Sequence, residues 1–235
     1  TCRLCDSGNV ELVVKLDPIP LSENYCSDSE TGKNAARYPV DLYMCTSCGH
    51  VQQLDVVDSK SLWESYTYYS GEAKGMPEHF NEVAATIRAT YKPAAGSLVI
   101  DIGSNDGTWL KQYARFGCRV LGVEAAANVA KLARDAGIPT WCQFFNEACA
   151  DDILAHLGPA KIVTAAGVFF HLEELHNAVR GIEKLLTEDG VFVVQAIYLG
   201  GMVDNTAFDQ IYHEHLCYYT LRSLSALLER HGLEV

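Results

Sequence analysis

The segment Leu98-Val-Ile-Asp-Ile-Gly-Ser-Asn-Asp-Gly107 constrains the fold of this chain more than any other stretch. Four of its first five residues are apolar, and the run breaks on Gly103 and Gly107. A short apolar run bounded by glycine reads as a strand buried on both faces, hence a strand of a parallel sheet, followed by a tight loop and a helix starting near Thr108. Glycines let the backbone approach a bound molecule, and the start of a helix offers it unpaired N–H groups. Tight turns also follow strands where nothing binds, so the surroundings must decide.

The surroundings are informative. Cys118-Arg-Val-Leu-Gly-Val-Glu124 is a second apolar strand ending on an acid, roughly 20 residues beyond the glycine loop. A carboxylate in that place accepts hydrogen bonds from the two hydroxyls of a ribose, so the ligand contains a nucleoside. The third glycine of a dinucleotide-binding loop is missing, and Asp101, Asn105 and Asp106 stand where a pyrophosphate would otherwise lie. Acidic and amide groups suit a cationic ligand without phosphate. S-adenosylmethionine, with its sulfonium and free amino group, is such a ligand. Asp101, Gly103, Asn105, Gly107 and Glu124 are the candidate contacts, together with Val168 in the loop after a later strand.

The chain has 235 residues, 49% of them hydrophobic, enough for one large domain and a small one. Its net charge of −12 argues against nucleic acid or an anionic membrane as a partner, since both call for a basic face. No apolar run reaches the roughly 18 residues of a membrane span, and the N-terminus lacks a signal-peptide pattern. A cytoplasmic protein is expected.

Nine cysteines are many for such a chain unless some hold metal. Cys2-x-x-Cys5 and Cys45-x-x-Cys48 are two turn-like knuckles able to close a structural thiolate site around zinc, with Gly8 and Gly49 relaxing the turns. Redox pairs or unligated thiols are the alternative. The other five cysteines suggest no chemistry.

In chain order, residues 1–55 form the zinc-binding module, with strands at 10–16 and 38–44 and a polar loop at 27–36 between them. Residues 56–92 are a linker and a helix, with apolar positions at Phe80, Val83, Ala84 and Ile87. Residues 93–235 alternate strand and helix through five steps, predicting an α/β, doubly wound parallel sheet with ligands at the carboxyl ends of its strands. Thr220 is placed to cap a last helix ended by Gly232, and Leu233-Glu-Val235 reads as the start of a strand, which suggests a domain truncated at its C-terminus.

Phe208-Asp-Gln-Ile-Tyr-His-Glu-His215 is the other stretch that carries chemistry. Two histidines, a glutamate and a tyrosine in four positions make a plausible proton-transfer set. In an extended segment His213 and His215 would share one face and Tyr212 and Glu214 the other; only a bend lets all four serve one site. A solvated loop or a second metal site are the alternatives. His171, after the fourth strand, falls where a methyl acceptor would lie, or is simply a histidine at a helix start.

Taken together, these motifs resemble the S-adenosylmethionine-dependent sugar C-methyltransferases that act on nucleotide-linked 4-keto-deoxy sugars. The resemblance covers essentially the whole chain. It is carried by the paired Cys-x-x-Cys module, Tyr66-x-Tyr68-x-Ser70, Asp101-Ile-Gly-Ser-Asn-Asp-Gly107, Gly122-Val-Glu124, Phe169-x-His171 and, most specifically, Ile211-Tyr-His-Glu-His-Leu216. It implies a class I methyltransferase (Rossmann-like) sheet behind the zinc module. It also implies His215 as the base at the carbon beside the ketone, Tyr212, Tyr66 or His171 as donor to the ketone oxygen, and Glu214 orienting a neighbour or a sugar hydroxyl. The implied product is a 3-C-methyl-4-keto sugar nucleotide of deoxysugar biosynthesis, made by a monomer. The family's further C-terminal domain has no counterpart in these residues. Gly167 stands where the pattern has Asn, and Gln195-Ala-Ile-Tyr198 where it often has Glu-x-Pro-Tyr. An O- or N-methyltransferase on another small molecule, or a non-catalytic binding protein with a degenerate fold, are the competing readings.

Overall fold

A computed structural model describes residues 1–22, 25–58, 62–63 and 66–235. Parts of the predicted linker, residues 59–61 and 64–65, lie outside the described residues. The chain divides into two compact units that do not follow chain order. One gathers Thr1–Ser59, Phe170–His176 and Ala196–Val235, and the other Lys60–Phe169 and Asn177–Gln195.

The second unit is built on a parallel sheet of five strands: β4 (Leu98–Ile102), β5 (Arg119–Val123), β6 (Thr140–Trp141), β7 (Ala160–Ala166) and β8 (Leu186–Gln195), in the order β6-β5-β4-β7-β8. All five residues of β4 are buried, which is why the sequence there is apolar without alternation. The chain runs outward from β4 to β6, then returns to the other side of β4 as β7. The order therefore reverses at β4/β7, where ligands of such sheets bind. Helices α2 (Met76–Tyr91), α3 (Thr108–Arg115), α4 (Ala127–Asp135), α5 (Glu147–Leu157) and α6 (Leu175–Leu185) fall between or before the strands. α2 buries Phe80, Ala84 and Ile87, one helical stripe, and the Phe80 ring stacks on Trp109 of α3 at 5.0 Å. Burial of Phe80 and of Ile87 stabilises the fold by about 1.5–3 kcal/mol each.

Helix α6 gives way at Leu186, which pairs with Ala160 and begins β8 directly. Sheet pairing overrides the helical pattern of the sequence there.

The first unit carries an antiparallel sheet, in the order β1-β2-β3-β9, of β1 (Val10–Val14), β2 (Leu42–Cys45), β3 (Val51–Gln53) and β9 (Cys217–Tyr218). The stretch read as a polar loop contains a short helix, α1 (Ser29–Lys33), because Asp28 accepts the Thr31 N–H at 2.8 Å and caps it. β3, β9 and helix α7 (Leu199–Asn205) are too short or too glycine-rich to show in the sequence. Thr220 caps α8 (Leu221–Glu229) in a capping box with Ser223. Among the described residues no helix is long and apolar enough to cross a membrane.

Candidate functional site

The loop after β4 is shaped for close approach. Gly103 has φ 66°, and a Cβ there would stand 2.8 Å from the side chain of Val168, in the loop after β7. The switch point is thus lined by these two loops, and only glycine fits at 103. Gly107, at φ 76°, starts α3 where the sequence predicted. Glu124 lies directly after β5. One of its oxygens accepts the Asn105 N–H at 2.9 Å and the other the Ala126 N–H at 2.8 Å, fixing the carboxylate; burial raises its pKa, and these N–H groups oppose the rise.

The acidic residues of the loop are differently employed. Asp101 is buried, accepts the Thr164 hydroxyl of β7 at 2.6 Å, and has its pKa pushed up to about 7 by burial. Asp106 takes the N–H and hydroxyl of Thr108 at 3.0 and 2.6 Å, so it closes the loop onto α3. The Asn105 side chain bonds the main chain of Tyr68 and Ser70, bringing the tyrosine stretch to the loop.

In the first unit the Tyr212–Leu216 segment bends instead of extending: His215 N–H donates to the Tyr212 carbonyl at 3.0 Å. His215 is 4% exposed, with its ring 3.8 Å from that of Tyr212, 4.6 Å from Phe170 and 5.2 Å from His171, centroid to centroid. Nδ1 lies 2.8 Å from the Gln210 carbonyl oxygen. A carbonyl only accepts, so Nδ1 carries hydrogen and Nε2 keeps the lone pair. Burial pulls the His215 pKa down to about 4, so the ring is neutral at pH 7. His171 Nδ1 donates to the Glu214 carbonyl at 2.6 Å, and the Glu214 carboxylate accepts the Ser22 hydroxyl at 2.6 Å. His213 turns away, its Nε2 at 3.2 Å from the Tyr38 carbonyl.

Two residues that hold this bend were not singled out from the sequence. The amide of buried Gln53, in β3, donates to the carbonyls of Tyr212 and His215 at 2.8 and 3.0 Å. Ser22 is the second. Neither carried a signal, since each works across about 160 or more residues of chain.

The four cysteines converge. The thiol sulfurs of Cys2, Cys5, Cys45 and Cys48 lie within 4.8 Å of one another, with Cys2–Cys48 and Cys5–Cys45 at 3.6 Å. Zinc–sulfur bonds of about 2.3 Å in a tetrahedron put sulfurs about 3.8 Å apart, so the set fits zinc. Burial raises the Cys2 thiol; at Cys45 burial is outweighed by N–H groups of Cys48 and Ser47, and the thiol falls to about 7. The two knuckles match: Asp6 N–H bonds Cys2 O as Gly49 N–H bonds Cys45 O, and the left-handed residues are Asp6 and Gly49. Gly8, expected to relax the first turn, does not take that conformation; Asp6 does, as acidic side chains tolerate it.

Comparison with known proteins agrees with this geometry. Residues 2–63 match the family model of a zinc binding domain, and residues 77–235 that of a methyltransferase domain. The C-methyltransferase NovU of Streptomyces niveus is 31% identical over 234 residues, which take in 100% of this chain and 56% of NovU, so the chain spans little more than half of that relative's length. Among solved structures, a chain of the complex between the Haloferax volcanii Trm112 methyltransferase activator and a methyltransferase superposes with a TM-score of 0.56 at 17% identity, covering 77% of this chain and 79% of that one. The magnesium protoporphyrin IX methyltransferase ChlM of Synechocystis PCC 6803 does so at 0.51 and 19%, covering 68% and 74%. At such identities the structures establish the fold alone. S-adenosylmethionine is the methyl donor of this fold, and the N-terminal thiolates are a structural zinc set. The glycine loop at the switch point and the match over residues 77–235 lead to one conclusion: the chain belongs to the methyltransferase-domain family.

Proposed function

We propose that the protein methylates the carbon beside the ketone of a nucleotide-linked 4-keto-deoxy sugar, at C3, in deoxysugar biosynthesis. The observation that carries this reading is the His215 ring, buried and neutral, with Nδ1 held by Gln210 and Nε2 left basic. The neutral imidazole is the form that can take a proton from carbon, and its burial makes it a weaker base than a free histidine. Methylation of an oxygen or nitrogen has less need of such a base. The name of the NovU relative, a C-methyltransferase, supports carbon as the acceptor.

In this reading the second unit binds the donor. Glu124 takes the ribose hydroxyls, Gly103 and Gly107 give the main chain room, and Val168, Asn105 and Asp101 shape the cleft. S-adenosylmethionine, when bound, supplies an electrophilic methyl group on its sulfonium. His215 Nε2 removes the proton from C3 of the sugar, and the charge moves to the ketone oxygen. That oxygen needs a donor. The phenols of Tyr212 and Tyr66 fit the task. His171 has committed Nδ1–H to Glu214, so its Nε2 donates only when the ring is protonated. The Glu214 carboxylate, held by Ser22, suits a sugar hydroxyl.

The test is NMR of a nucleotide-linked 4-keto-6-deoxy sugar in deuterated water, with and without donor. The expected result is protein-dependent deuterium exchange at C3, and a new C-methyl carbon when the donor is added. A methyl found on oxygen or nitrogen would refute the reading.

A further inference from the structure

Tyr66–Gly71 lies outside the strands among the described residues, and its main chain is tied down by three side chains of the loop after β4 and of helix α4. Asn128 Oδ1 accepts the Tyr66 N–H at 3.2 Å, while its Nδ2 donates to the Tyr66 carbonyl at 2.7 Å. One amide thus satisfies both polar groups of one residue, as a neighbouring strand would. Asn105 acts in the same way further along, accepting from Ser70 N–H at 2.9 Å and donating to the Tyr68 carbonyl at 3.0 Å. Asp106 accepts the Gly71 N–H at 2.8 Å, and a Cβ on Gly71 would meet that carboxylate at 2.7 Å.

Both asparagines hang from the groups that fix Glu124. The Asn105 N–H is one of those that bind its carboxylate; another belongs to Ala126, the residue before α4, and Asn128 lies in the first turn of α4. The Asn128 amide reaches out of its helix to the Tyr66 main chain, with Nδ2 also 3.4 Å from the Tyr69 hydroxyl oxygen.

We propose that Asn128 is a positioning residue for Tyr66: it fixes the Tyr66 main chain to the helix that follows the ribose-binding acid. This rests on the reading above and takes Tyr66, one of its two candidate phenols, as the donor to the ketone oxygen. A donor on a stretch without regular structure serves a developing charge only if its main chain is held to about half an ångström. Asn128 supplies that hold from the donor side, without touching the acceptor.

The test compares the full chain with Asn128→Ala and Asn128→Asp. Amide exchange is followed by NMR, S-adenosylhomocysteine affinity by calorimetry, and turnover with the nucleotide-linked keto sugar at saturation. In Asn128→Ala the Tyr66 amide should exchange about tenfold faster, as expected for loss of a hydrogen-bonded tether, while Ser70 and Gly71, held by Asn105 and Asp106, stay within about threefold. Affinity for S-adenosylhomocysteine should also stay within about threefold, and kcat should fall about tenfold with KM for the sugar little changed, the pattern of an interaction made in the transition state. Asn128→Asp keeps the acceptor for the Tyr66 N–H and should fall between. Unchanged Tyr66 exchange in Asn128→Ala would overturn the proposal, and so would faster exchange with unchanged kcat, which would make the tether merely structural. Failure of the sugar reading itself would look different: wild-type protein would not turn over the sugar, whatever the exchange pattern.

Discussion

His215 gives its Nδ1 hydrogen to the carbonyl oxygen of Gln210, 2.8 Å away, and that bond decides which ring nitrogen is left to take a proton. Burial then lowers the ring's pKa to about 4. The acid limb of kcat/KM should therefore lie near pH 4 to 5, well below the ordinary histidine value of about 6.5. The same shift affects stability. The unfolded ring protonates first, so the contribution of the neutral ring is complete above about pH 6.5 and is lost as pH falls toward 4. A kinetic limb at pH 6.5 would rule out a His215 base with its pKa lowered by burial. His215→Ala should lower turnover by about a thousandfold and leave S-adenosylhomocysteine affinity within about threefold in calorimetry.

Asp101 titrates in the opposite sense. Its pKa is raised to about 7 by burial, so the folded state favours the protonated acid. The stability this contributes is complete below about pH 4 and lost as pH rises through 7. Asp101→Asn should remove that slope in chemical denaturation between pH 4 and 7; parallel curves for the two proteins would show that Asp101 does not titrate there. Thr164→Val, which strips the 2.6 Å partner from the acid, should cost about 1–3 kcal/mol at pH 5.

Gly103→Ala should abolish S-adenosylhomocysteine binding or weaken it at least about tenfold, because the new methyl meets Val168 at 2.8 Å. Val168→Ala in the same chain should restore part of the affinity. The rest stays lost to the positive φ of residue 103, strained for alanine by about 1 kcal/mol. Calorimetry on the two single variants and the double variant measures both parts. Restoration to the full wild-type value would show that φ strain plays no role.

The four-cysteine set should hold about one zinc per chain by metal analysis, and its removal by a chelator should lower the thermal midpoint. Cys45→Ser should lose the metal. The first unit should suffer before the second, since all four thiolates lie in it. Retention of full stability after the zinc is gone would deny the site a structural role.

Much of this could be read from the chain itself, for identifiable reasons. The β4 segment and its two glycines are local: burial on both faces demands a continuous apolar run, and the turn demands positive φ at both glycines. Helix α2 followed from its apolar spacing, and the start of α3 from the glycine that ends the loop. Cys-x-x-Cys is legible because a knuckle must present two thiolates within four residues. The bend at Tyr212–His215 was left open, since the residues alone allow an extended segment or a turn. β3 and β9 gave no signal, at three and two residues, because short strands are made by their partners.

The sequence by itself determined the elements whose causes lie within one turn or one strand: the buried central strand, the glycine loop, the acid after the second strand and the paired thiolates. Only the tertiary structure decided that Gln53 holds the His215 turn, that Ser22 holds Glu214, and that Asn105 and Asn128 anchor the Tyr66 stretch. Those are hydrogen bonds between groups from 37 to 192 residues apart in the chain. A buried polar group must find a partner, but nothing in local sequence says from how far along the chain the partner will come.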